Sequence, residues 1–198
     1  MRVLALGTAL VLVAALNLFA DDTEHVASGT IQDVDAGAKT VTIETTEGAH
    51  TVKLSDGTTV NGSTDLASAT TAAAKITALG AKKGSQAVVH YSGEGAKKTA
   101  HGVKVVGNQS VKVASGIVTA GGDAGQAVAI KTKDGSVKTF DMAGNGVVVA
   151  GRATGAGAKA QAAAKGTSHG VTTGSQVTVH YTVEGGKQVA HGIEHIFK

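Results

Sequence analysis

Apolar and polar residues alternate along most of the chain, and the alternation is written twice. In the first writing Val41 and Ile43 alternate with Thr and Glu, and Val52 and Leu54 flank Lys53. Strand side chains point to opposite faces in turn, so each run predicts a strand with one buried face. Val26–Val34 predicts an earlier strand, and Asp35–Lys39 and Glu47-Gly48 supply turns. The period then changes. The segment STDLASATTAAAKITALGAKKG is rich in Ala, with Ser63 or Thr64 to cap a helix and Gly80 to end it. SQAVVHYSGEGAKKTAHGV, from Ser85 to Val103, returns to alternation and reads as a hairpin.

The second writing follows the same order. VASGIVTAGGDAGQAVAIKTKDG from Val113 matches VASGTIQDVDAGAKTVTIETTEG from Val26. Phe140 and Met142 stand where Val52 and Leu54 stood, one residue later in the alignment. GAGAKAQAAAKG predicts a shorter, Gly-loosened helix, and SQVTVHYTVEGGKQVAHGI from Ser175 to Ile193 repeats the hairpin. The expected architecture is therefore all-β with a short helix per repeat. Residues 26–107 and 113–197 form two tandem five-stranded barrels in the order β-β-β-α-β-β, OB-like or alternatively SH3-like. Each copy alone is near the size at which one core is marginal, so docking of the two is expected.

Composition changes this picture at the N-terminus. Arg2 and an apolar run to about Phe19, closed by Ala20 and two acids, predict a signal peptide over residues 1–20. The remaining chain of about 178 residues carries no Cys, which fits export to a bacterial periplasm or exterior without disulfide staples. No later segment is apolar enough to insert in a membrane as a helix. Basic and acidic side chains number 18 and 15, too even to steer nucleic acid. Beyond the leader the aromatics are Tyr91, Tyr181, Phe140 and Phe197, too few for a base-stacking platform.

The run GTIQDVDAGAKTVTIETTEGAHTVKL, then TTVNG, then KKGSQAVVHYSGEGAKKTAHGV resembles small exported bacterial domains of unknown function of the DUF5666-like kind. The resemblance covers both copies and implies OB-like barrels. It implies no catalytic residue. In the second copy VTAGG replaces the Val-Asp turn, and Thr172-Thr173-Gly174 replaces Lys82-Lys83-Gly84.

Candidate chemistry centres on the hairpin histidines. Alternation puts Val89, Tyr91, Val179 and Tyr181 in the cores and His90 and His180 outside. A turn centred on Glu94-Gly95 sets Val89 opposite Ala100, His90 opposite Thr99 and Val88 opposite His101. His90 and His101 then become diagonal neighbours within reach of one Zn, Cu or Ni ion. His180 and His191 repeat the pair, and His195 is a third candidate ligand on the same strand face. A bulge at Gly102 would turn His101 to the other face. The bland alternative is a set of solvated hairpin histidines. His25 is expected to be mobile, and His50 and His169 sit by turns.

GAGAKA from Gly155 lacks the βαβ setting of a dinucleotide site, and no nucleophile elbow occurs. No catalytic constellation emerges. The expected function is non-enzymatic: an envelope binding or scaffold module whose exposed sheet edges dock a partner protein. Divalent-metal binding is the first alternative. Oligosaccharide or nucleic-acid binding, by fold analogy, is the second.

Overall fold

The computed structural model of the chain describes residues 24–121, 127–142, 148–153 and 171–197, with the backbone alone for 148–153 and 196–197. The expected leader, the expected second helix in GAGAKAQAAAKG and His169 lie outside the described residues. The protein is mostly β. The first half contains β1 (Glu24–Asp35), β2 (Thr40–Thr45), β3 (Gly48–Lys53), β4 (Thr59–Asn61), α1 (Thr64–Ala67), α2 (Ala72–Gly80), β5 (Gln86–Ser92) and β6 (Thr99–Gly107). The second half contains β7 (Lys112–Gly121), β8 (Ala127–Thr132), β9 (Val137–Met142), β10 (Val148–Ala153), β11 (Gln176–Glu184) and β12 (Lys187–Phe197). No described helix is long and apolar enough to cross a membrane.

The second half closes. Its strands run β9-β8-β7-β11-β12, and β12 returns to β9 through Val189↔Asp141 and Ala190↔Met142, which completes a five-stranded barrel. The first half has the order β3-β2-β1-β5-β6-β4, and β3 meets β6 at a single pair, Lys53↔Thr99. The expectation of two closed barrels is therefore met in the second half alone. In the first half an additional strand, β4, pairs in parallel with β6 from Gly102 to Lys104. The alternation did not announce β4 or β10. β4 has three residues, with Val60 alone buried, too short a run to show a period.

Each half encloses its own core. Ile31, Val41, Ile43, Val52, Leu54 and Val89 are at most 2% exposed in the first. Val128, Ile130, Phe140, Val177, Val179 and Ile193 fill the second. Burying each such side chain is worth roughly 1.5–3 kcal/mol. The helical segment splits in two. Ser63 precedes α1 without a side-chain cap bond, whereas Thr71 caps α2 by accepting from the Ala74 amide at 3.2 Å. Asp56 adds a second acceptor to the first turn of α2, at 2.6 Å from the Ala72 amide. Leu66, Ile76 and Leu79 carry both helices onto the first core.

The halves dock, as their size requires. β1 and β5 lie against β10 and β12. Ser28 Oγ and His180 Nδ1 share a 2.9 Å hydrogen bond across the seam, and His25 Nδ1 lies 3.6 Å from Glu194 Oε1. The seam is heterologous: it uses different strands from the two repeats. Val26 is 7% exposed beside it, while Val113, its mate in the second repeat, is 55% exposed.

Candidate functional site

The hairpin turns are centred one residue later than expected. Glu94 O accepts from the Lys97 amide, so Gly95-Ala96 lie at the centre, and Glu184 pairs with Lys187 around Gly185-Gly186. Gly185 and Gly186 have φ of +56° and +83°, a left-handed pair that favours glycine. The later centre moves the partners of Ser92 and Tyr91 by two residues, which keeps those side chains on their faces, and beyond the bulge that follows the move is three. Tyr91 pairs with Ala100 and Val89 with Val103, not with Ala100; His90 pairs with Gly102, not with Thr99. A bulge between His90 and Tyr91 makes His101 the extra residue. The bulge keeps His101 beside His90, with ring centroids 5.1 Å apart, rather than turning it to the other face.

The two histidine pairs then diverge. His90 Nε2 lies 3.5 Å from Glu24 Oε2, and His101 Nε2 lies 2.7 Å from Ser92 Oγ. In the second half His180 turns to Ser28, and His191 Nε2 lies 2.7 Å from Thr182 Oγ1. Thr182 donates to Glu184 Oε1 at 2.8 Å. His180 and His191 are not the surface residues that alternation predicts: they are 6% and 4% exposed. The first half covers His180, so the outer face of its barrel is an inner face of the molecule. Burial pushes His180 down to about 4. Burial and the Lys104 ammonium push His191 down to about 4, against the opposing pull of Glu184. His195 is paired with Val177, a core residue, and so lies on the other face from His180 and Glu194. It does not join a site with His191, and burial lowers its pKa too. Among the described residues no three of His, Asp and Glu are grouped to hold a metal ion.

A second cluster lies beside Tyr91 in the first half. His50 Nδ1 is 3.3 Å from both Tyr91 Oη and Lys98 Nζ. His25, in β1 and not mobile, stacks on the Tyr91 ring at 5.4 Å. Burial and Lys98 lower His50, while burial with Glu194 and Glu47 raises Tyr91. The Lys98 ammonium can only donate, so Nδ1 of His50 is an acceptor toward it. Spacing did not signal this cluster, because β3, β5 and β6 meet only in the fold. The hydroxyl partners of the bulged histidines were legible in principle: Ser92 and Thr182 both follow the repeated His-Tyr.

A third feature is a row of side chains on the outer wall of the closed barrel. Gln176, Ile117, Lys131 and Val137 are direct partners across β11, β7, β8 and β9. Direct partners share a face, so the four form one row. Val113 lies on the same face, four residues before Ile117. Ile117 and Val137 are 53% and 62% exposed. The same ladder positions of the first half hold Gln86, Thr30, Glu44 and Ala49. Large apolar residues are paired with ladder-mates that are small or polar, and Lys131 with an acid. A comparison of the chain with protein-family models and with curated proteins finds no match.

Proposed function

We propose that this is a non-enzymatic, exported module of the bacterial envelope that docks a partner protein on the wall of β7, β8 and β9. The observation that carries the reading is the exposure of Val113, Ile117 and Val137 on one face of a barrel that hydrogen bonds close. Large apolar side chains grouped in water favour an interaction surface. β7 is paired on both sides, with β8 and β11. On β7 docking is therefore through side chains and not through strand addition. β10 does not serve either, since it lies against β1 and β5. The parallel pairing of β9 with β12 favours an OB-like over an SH3-like assignment for the second half. The DUF5666-like resemblance belongs to the same reading.

A photo-activated cross-linking residue at Val137 tests it, compared with one at Lys97 on the first hairpin, in cells that make the protein. An adduct with one protein species at Val137 and none at Lys97 is the expected result. No adduct at Val137, or equal adducts at both, overturns the reading.

The 5.1 Å spacing of His90 and His101 favours a second reading, transition-metal binding at the first hairpin. Two neighbouring imidazoles are a partial ligand set. A saturable rise in melting temperature with micromolar zinc, lost in His90→Ala, supports it. No rise removes it.

A further inference from the structure

The wall of β7–β9 has a complement on the molecule itself. Its four-residue row carries Ile117, Lys131 and Val137, and the row at the same ladder positions of the first half carries Thr30, Glu44 and Ala49. Glu44 and Lys131 are exposed, and neither has an ion-pair partner among the described residues. Ala49 is small where Val137 is large, and Thr30 offers a methyl group where Ile117 is apolar. The two rows differ in sign and in relief. Within one molecule they do not cover each other, because the seam is built from β1 and β5 against β10 and β12 and leaves Ile117 and Val137 more than half exposed.

Resting on the docking reading above, we infer that the partner on this wall is a second copy of the chain, which presents its Thr30–Glu44–Ala49 row to the Ile117–Lys131–Val137 row. Each molecule carries both faces, so the contact is heterologous. It closes as a pair if the geometry lets it be made twice and continues as a chain of molecules if it does not. The formal net charge of +3 opposes self-association weakly. The Glu44–Lys131 pair fixes register and partner, and the apolar positions supply most of the attraction.

Sedimentation velocity over a concentration series, with the protein as it accumulates in cells, tests this. The wild type is expected to show a concentration-dependent rise in sedimentation coefficient. Ile117→Asp weakens association by about tenfold or more, since it places a carboxylate in an apolar contact. Glu44→Lys and Lys131→Glu each weaken it by about fivefold, and the two together in one chain restore it. All three positions are exposed, so the variants keep the wild-type unfolding midpoint, which is checked alongside. A wild type that stays monomeric throughout overturns the inference, as does a double variant no tighter than the single ones. The cross-link at Val137 separates the two levels. An adduct of twice the chain's own mass supports self-docking. An adduct with a different protein overturns self-docking and leaves the docking reading standing.

Discussion

Tyr91 and Tyr181 hold the same place in the two repeats, opposite Ala100 and Ala190, yet their surroundings have little in common. Tyr91 has His25 stacked on it, and His50 and Lys98 within reach. Tyr181 packs edge-on against Phe140 at 4.9 Å. The outer walls differ in the same sense. The first half keeps Thr30, Glu44 and Ala49 where the second exposes Ile117, Lys131 and Val137. One half thus has polar surroundings for its tyrosine and a polar wall, and the other has the apolar version of each. A repeated backbone leaves side chains free to diverge wherever the ladder does not need them. What the halves share are the positions the ladder does need, namely core valines, turn glycines and the bulge.

The largest expected effect breaks the second core. Phe140→Ala removes a ring that is 0% exposed and costs about 3–5 kcal/mol, read from urea unfolding. Val52→Ala, at the aligned position of the first half, removes less volume and costs less.

Acid is expected to act on the second half more than on the first. His180 and His191 are held near 4 in the folded chain against 6.5 when free. Unfolding lets them bind protons, so their contribution is complete above pH 6.5 and is lost as pH falls toward 4. The loss is at most about 3 kcal/mol per histidine. Melting midpoints between pH 7 and pH 4 should fall, and His180→Gln should flatten the slope. A slope unchanged in that variant would deny His180 the role.

Gly29 and Gly116 sharpen the comparison at matched positions. A Cβ on Gly29 runs into the Glu44 carbonyl oxygen, and one on Gly116 into that of Lys131. Alanine at either is expected to cost about 1–3 kcal/mol in chemical denaturation, with Gly29 the more sensitive because its approach is closer.

The smallest effect is at the bulges. Thr182→Val leaves both His191 and Glu184 without the hydroxyl, and Thr182 is 0% exposed. Ser92→Ala removes one bond to the exposed His101. The first should cost about 1.5 kcal/mol and the second about 0.5 kcal/mol by thermal unfolding.

Much of this fold was legible in the residues. Val41, Ile43, Val89, Val179 and Tyr181 were assigned to cores by alternation and lie there. The exchange of Val52 for Phe140 followed from the repeat, and both are buried. The turn was read one residue early because Glu-Gly and the Gly-centred pairs that follow it carry similar local signals. β4 was missed because three residues do not make a pattern. The exposed row could have been found by setting the two copies side by side, since Ile117 and Val137 break with Thr30 and Ala49. Its being a row could not, because that depends on the register of four strands.

By itself the sequence determined the repeat, most of the strands and, along β2, β5 and β11, which side faces its own core. These are local properties: a side chain's face is set by its neighbours one and two residues away. The tertiary structure alone decided what lies against the outer faces. His180 is polar and at an outward position, which reads as a solvated residue. It is buried because Ser28, 152 residues earlier, is brought against it when the halves dock. Periodicity carries no information about such a neighbour, and burial, with the charge state that follows from it, is a sum over all of them.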